Sequence, residues 1–152
     1  MSIKTSEYNY DVFSTNEKLL FIPFDTNSDF NGVSKVSYTA STLPIYKLLK
    51  KEKIDADFAF SNLDDCVYVD NHSIDWFGPT IFIPLMVISQ NPNVVSLCLN
   101  IISNYVYDLF KGKNKDPSIN CSFIYEDKKK KKKIEYEGPV SGLKEIKKIM
   151  KV

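Results

Sequence analysis

The hydrophobic pattern of the chain is dominated by one long apolar segment, Val94 to Phe110. Its polar side chains Asn100, Asn104 and Asp108 recur every four residues, so they form a single stripe along an otherwise apolar helix. Gly112 follows as a suitable left-handed stop. The pattern predicts a long helix laid into a protein core with one edge in water.

The apolar run that precedes this helix is too short to cross a membrane. It extends from Thr80 to Ile88 and is interrupted by Pro84, whereas a membrane helix needs about 20 apolar residues. A helix buried in a core is the favoured interpretation, with Leu97 and Ile101 among its buried residues. A membrane-associated hairpin and a helix buried in an oligomer are the alternatives.

Upstream, the pattern predicts short strands and one amphipathic helix. Residues 1–18 are predicted to form a first strand or a loosely held arm. The segment Asp25–Gly32 is rich in turn-forming residues and is predicted to be a loop. The remaining predictions are strands at Leu19–Phe24, Val33–Tyr38, Ile54–Phe60 and Cys66–Val69, and a helix over 42–52 capped by Thr42.

Downstream, the pattern predicts a β-hairpin and a closing helix. Ser118–Glu126 alternates between apolar and polar positions, and a second alternating arm ends at Gly138-Pro139. Exposed loops are expected at 113–117 and 127–132, and Ser141 is expected to cap the last helix. The sequence therefore predicts one α/β (α+β) domain over 1–152, in which a mixed sheet of five or six strands packs on the long helix, flanked by the other two helices.

Charge is distributed unevenly along the chain and restricts the functions that it can have. Residues 1–110 carry seven lysines against thirteen acidic residues, whereas residues 111–152 carry thirteen lysines against six. All 20 basic residues are lysine. Because specific base recognition relies on the bidentate fork of arginine, a sequence-specific DNA-binding function is disfavoured.

The cysteine and histidine content argues against a conventional metal site. The three cysteines have no close spacing, and one histidine cannot form a multi-histidine zinc site. An odd number of cysteines and an N-terminus without a secretory pattern are typical of a cytoplasmic protein with reduced thiols. We expect no metal and no cofactor.

The most conspicuous feature is a run of six lysines, from Lys128 to Lys133. One interpretation is an electrostatic patch that binds nucleic acid non-specifically or binds an anionic membrane surface. The other is a solvated hairpin loop whose lysines prevent strand-to-strand aggregation. The candidate binding residues are Lys128, Lys129, Lys130, Lys131, Lys132 and Lys133.

Two weaker candidates are acidic. Asp70, His72 and Asp75 lie close in sequence and offer acid–base chemistry, although a catalytic triad depends on the fold rather than on proximity along the chain. Asp55, Asp57, Asp64 and Asp65 offer oxygen ligands for a divalent ion, but no calcium-loop spacing accompanies them. A surface histidine and acidic residues in turns are the simpler interpretations.

Three stretches taken together resemble a known class of proteins: Ile74–Pro79, Ile101–Gly112 and Ile134–Pro139. The order of apolar helix, basic hairpin and short closing helix resembles small uncharacterised bacterial proteins and effector-associated components of bacterial conflict systems, including anti-phage defence. The resemblance covers residues 74–150 and implies an accessory or adaptor role. It carries over no catalytic residue.

These observations favour a non-catalytic interaction module that works with a protein partner or as a homo-oligomer. The two alternatives are a peripheral binder of nucleic acid or anionic membranes through the lysine run, and a small enzyme that uses Asp70, His72 and Asp75.

Overall fold

The computed structural model describes the chain except residues 9–16, 24, 31–32, 60–65, 70–75, 114, 128–129 and 151–152. For residues 25–30, 33–36, 66–69 and 127 the description is of the backbone. It contains four α-helices and nine strands within these limits. The predicted α/β architecture, a mixed sheet on a long helix with a C-terminal strand pair and helix, is confirmed.

The larger sheet has six strands in the order β1-β9-β8-β7-β2-β5. Pairs β7–β8 and β2–β5 are parallel, and the other neighbours are antiparallel. The first strand is paired along its whole length with β9, so residues 2–7 are a sheet edge and not a loose arm. The strands are β1 (Ser2–Glu7), β2 (Leu19–Ile22), β5 (Ala56–Phe58), β7 (Trp76–Ile83), β8 (Ser118–Asp127) and β9 (Lys130–Pro139).

A smaller sheet contains β3 (Asp25–Phe30), β4 (Val33–Thr39) and β6 (Cys66–Val69). The prediction of a loop over Asp25–Gly32 is wrong, because residues 25–30 pair antiparallel with β4. Phe30 pairs with Val33, so only Asn31 and Gly32 separate the two strands. Strand pairing therefore outweighed the turn-rich composition of residues 25–30.

Four helices complete the fold: α1 (Thr42–Lys51), α2 (Leu85–Gln90), α3 (Val94–Leu109) and α4 (Lys144–Met150). Helices α1 and α4 both contact α3, as predicted. Thr42 begins α1, with Ser41 as the N-cap residue. Ser141 does not cap α4, since it lies in a 3₁₀ turn at Val140–Gly142 and hydrogen-bonds the Asp116 carboxylate.

The core lies between one face of the six-stranded sheet and α3. The helix buries one continuous face, formed by Val94, Val95, Cys98, Leu99, Ile102 and Val106. Asn100, Asn104 and Asp108 are exposed, as the four-residue stripe predicted. The expected burial of Leu97 is wrong: its side chain is 37% exposed, and Ile101 is only partly buried.

Pro84 divides the apolar run before α3. Strand β7 ends at Ile83 and α2 begins at Leu85. No helix in the described part of the chain has the length and apolar content needed to span a membrane.

Candidate functional site

The predicted acid–base group, Asp70, His72 and Asp75, lies outside the described residues. So do Asp64 and Asp65, whereas Asp55 and Asp57 are exposed beside and within β5. Within the described ranges, no three His, Cys, Asp or Glu side chains lie close enough together to hold a metal ion.

The lysine run is mainly strand rather than loop. Lys128 and Lys129 lie outside the described residues, but Lys130 begins β9, so the expected loop over 127–132 is wrong from Lys130 onward. The reason is strand register: Asp127 pairs with Lys130, and Glu126 pairs with Lys131. From Lys130 onward the lysines are therefore the second arm of the hairpin.

Neighbouring carboxylates offset much of the charge of these lysines. On its other side β9 pairs with β1, which places Glu7 opposite Lys132. The Glu7 carboxylate lies 3.7 Å from the Lys130 ammonium, and the Glu135 carboxylate lies 3.4 Å from that of Lys133. Because successive strand residues point to opposite faces, Lys130–Lys133 cannot form one continuous cationic surface.

A pocket of about 470 Å³ opens on the face of the six-stranded sheet opposite α3. We call it the bulge pocket, because it lies beside an irregularity in β7. Its lining comes from β1, β2, β4, α1, β7, β8 and β9, and includes Ser2, Lys4, Ile22, Thr39, Thr42, Phe77, Pro79, Thr80, Asn120, Ser122, Glu135 and Glu137.

The irregularity is a bulge at Gly78-Pro79. The pairing of β7 with β8 shifts between Phe77 and Thr80. Gly78 is required there by space, since a Cβ atom would come within 2.5 Å of the Trp76 ring and 3.1 Å of the Cys121 Cβ. Trp76 in turn packs against Tyr105 of α3, with ring centroids 6.0 Å apart. Packing on the α3 side of the sheet thus fixes the bulge, and the bulge shapes the pocket on the other side of the sheet.

A cluster of hydroxyl groups closes one end of the bulge pocket. Thr39 Oγ1 lies 3.1 Å from Ser41 Oγ and 3.0 Å from Thr42 Oγ1. The Ser41 hydroxyl donates a hydrogen bond of 2.7 Å to the carbonyl oxygen of Phe77. These hydrogen bonds connect the start of α1 to the bulge in β7, so two of the elements that line the pocket are held together.

Glu135 pairs with Lys133, but five other polar side chains of the pocket make no hydrogen bond or ion pair with a described residue. Within the described part of the chain, Thr80, Asn120 and Ser122 make no side-chain hydrogen bond, and each is partly buried. The Lys4 ammonium and the Glu137 carboxylate at the rim also form no ion pair with a described residue. A pocket with both donors and acceptors unoccupied can bind a polar molecule.

A second candidate surface is apolar and surrounds α2. Its first four residues are Leu85, Met86, Val87 and Ile88, yet the helix has no buried residue. Leu85 is 44% exposed and Met86 is 47% exposed. The sequence from Trp76 to Tyr107 contains no charged residue. We call Leu85 and Met86 the α2 surface.

Neither described thiol offers reactive chemistry. Cys98 and Cys121 are both buried, and burial raises the pKa of each to about 12. Because the thiolate is the nucleophilic form, these residues are core groups, as their positions in the sequence predicted.

Sequence reasoning indicated an apolar interaction surface near the central helix without locating it, and it missed the bulge pocket. The bulge pocket is assembled from residues far apart in the chain, and their spacing contains no motif. One signal was available: Gly78-Pro79 lies inside an otherwise strand-like run, and glycine within a strand often marks a bulge or a close approach.

No protein-family model, curated protein or solved structure matches this chain.

Proposed function

We propose that this protein is a non-catalytic interaction module that self-associates through the α2 surface. The observation that carries the proposal is that Leu85 and Met86, two of the four apolar residues of this six-residue helix, are 44% and 47% exposed, while Val87 and Ile88 pack only partly against the main core. Isolated helices this short are marginal in water, and most helical stability in proteins comes from packing of an apolar face. Contact with a second apolar surface would supply that packing.

The partner that best fits this surface is a second copy of the chain. In a two-fold symmetric contact the same patch lies on both subunits, so a charged residue in the patch would lie close to the same charge on the other subunit and be repelled by it. The uncharged sequence from Trp76 to Tyr107 brings no such repulsion. Exposed apolar side chains in a group also mark protein interaction sites more often than other surfaces do.

An accessory role in a bacterial multi-protein system of the defence type remains part of this proposal. It is supported by the resemblance of residues 74–150 and by an interaction surface near the central helix.

The proposal is tested by sedimentation velocity of the full chain over a wide range of concentrations. We expect a reversible increase in size for the native protein. The double substitution Leu85→Glu and Met86→Glu should give a monomer at every concentration, because it places like charges across the contact. Leu109→Glu is the matched control, since Leu109 is 51% exposed at the far end of α3 and should not change association.

Circular dichroism and thermal melting establish that each variant is folded, and Leu85→Ser with Met86→Ser serves as a milder pair. A native protein that stays monomeric at its highest soluble concentration would overturn self-association. Dissociation by Leu109→Glu, with no effect of the α2 substitutions, would overturn the assignment of the surface.

A further inference from the structure

We propose that the bulge pocket binds a small zwitterion of the amino-acid class that carries an apolar side chain. This inference concerns the opposite face of the sheet from α3 and does not depend on self-association through the α2 surface.

The size and position of the pocket suit a small ligand. Its volume of about 470 Å³ lies in the range of sites for small molecules. Its floor is formed by β8, which is paired on both sides in the middle of the sheet. A floor of this kind is rigid, so the groups that line it are held in place before a ligand arrives.

The polar groups on this floor have no evident structural purpose. On the same face of the sheet, Leu20, Phe82 and Ile124 lie opposite one another on β2, β7 and β8, and all three are fully buried. Two residues along each strand, the corresponding positions of β7 and β8 are Thr80 and Ser122. Asn120 lies two residues beyond Ser122 on β8. Their polar atoms are not fully buried, so they still reach solvent inside the pocket, and a bound polar molecule can replace the water at these fixed donors and acceptors.

The charges at the rim specify a zwitterion. Lys4 pairs with Glu135 in strand register and Ser2 pairs with Glu137, which puts Lys4 and Glu137 at diagonal positions on the same face. Such positions are about 7–8 Å apart at the backbone. Glu135 is already paired with Lys133. One ammonium and one carboxylate are therefore left to receive a ligand carboxylate and a ligand ammonium.

The remaining wall is apolar. Ile22, Phe77 and Pro79 line the pocket beside the bulge, so a ligand held at the rim would rest its side chain against them. A phosphate-bearing ligand fits less well, since Glu135 and Glu137 lie on the same rim as the single Lys4.

The experiment is an NMR titration of the ¹⁵N-labelled full chain with L-leucine and, separately, with N-acetyl-L-leucinamide, which has the same side chain and neither charge. We expect L-leucine to shift the amide signals of Phe77, Thr80, Asn120 and Ser122 with saturation at millimolar concentration. The blocked derivative should bind about tenfold more weakly, as expected when charge-assisted hydrogen bonds are lost.

Two kinds of variant locate the site. Ser122→Phe should fill the pocket and abolish the shifts, while Ser6→Phe, on the same sheet face but in the exposed edge strand outside the pocket, should leave them unchanged. Lys4→Met and Glu137→Gln should each weaken L-leucine binding several-fold and leave the blocked derivative unaffected. The fold of each variant is checked by its amide spectrum.

Lack of saturable shifts with L-leucine, equal affinity for the blocked derivative, or shifts that survive Ser122→Phe would each overturn this inference. The concentration dependence of sedimentation is unaffected by any of these results, so the failure of one proposal is distinguishable from the failure of the other.

Discussion

The two faces of the six-stranded sheet differ in what covers them and in what they can do. The face toward α3 belongs to one large apolar cluster that includes Phe21, Ile81, Phe123 and Tyr136. The opposite face has a small cluster of four buried residues, Leu20, Ile22, Phe82 and Ile124, and beyond it the polar bulge pocket. The first face specifies the fold, and the second has polar groups available for binding.

Strand β8 illustrates the difference within three consecutive residues. Ser122 points into the bulge pocket, Phe123 is 1% exposed in the main core, and Ile124 is fully buried in the small cluster. Since successive side chains of a strand alternate between faces, adjacent residues can serve entirely different purposes. The following predictions test this contrast.

The largest effect is expected at Phe123. Replacement by Ala should lower the free energy of unfolding by about 3–5 kcal/mol, because transfer and cavity terms add in a packed core. Ser122→Ala, one residue away on the other face, should change it by less than about 0.5 kcal/mol, since it removes a hydroxyl without a protein partner. Urea unfolding of both variants measures the contrast. Equal losses in the free energy of unfolding would contradict the interpretation that the face toward α3 specifies the fold.

An intermediate effect is expected for Tyr136 at alkaline pH. Its hydroxyl donates a hydrogen bond of 2.5 Å to the Pro139 carbonyl oxygen, and burial, with smaller contributions from nearby negative charge, raises its pKa to about 12. The unfolded value is about 10. The folded state therefore holds this proton more tightly, and its contribution to stability is complete below about pH 10 and is lost as the pH rises toward 12.

The measurement compares the native protein with Tyr136→Phe by urea unfolding at pH 7 and between pH 10 and 11.5. The native protein should be more stable by about 1 kcal/mol at pH 7, which is the usual contribution of one hydrogen bond. This advantage should decrease across the alkaline range. Cys98 is present in both proteins, so its contribution cancels, whereas Cys121 contributes to the raised pKa of Tyr136 and is part of the effect being measured. A constant difference would contradict the raised pKa.

The smallest effect is expected for the lysine run. Replacing Lys130, Lys132 and Lys133 together by Gln should change the free energy of unfolding by less than about 0.5 kcal/mol in total, because surface ion pairs contribute little. Retention on an anionic matrix should be weak and should change little with these substitutions. A steep salt dependence that flattens in the variant would instead favour the nucleic-acid or anionic-membrane function.

Much of the fold was determined by local sequence patterns. The four-residue stripe of Asn100, Asn104 and Asp108 defined the water-facing side of α3, and Ile119, Cys121 and Phe123 defined the buried side of β8. These predictions succeeded because helix and strand periodicity decides which side chains share a face. The positive φ of Gly112, at 81°, was predicted for the same kind of local reason.

Tertiary pairing decided what the local pattern could not. Asp25–Phe30 reads as a loop, and it is a strand because β4 lies beside it. Lys130–Lys132 were predicted to be loop, and they are strand because their backbone pairs with residues 125–127 of β8 and, at Lys132, with Glu7 of β1. In both segments the deciding hydrogen bonds come from a neighbouring strand of the sheet.

The candidate sites depended on tertiary structure most of all. Lys4, Thr80, Asn120 and Glu137 are polar residues of four different strands, and no spacing along the chain connects them. Likewise, the apolar sequence of α2 predicts burial, and only its place in the fold leaves Leu85 and Met86 in contact with water. The sequence determined which residues have apolar or polar character, whereas the packing of distant strands and helices decided which of them have no partner within the described chain.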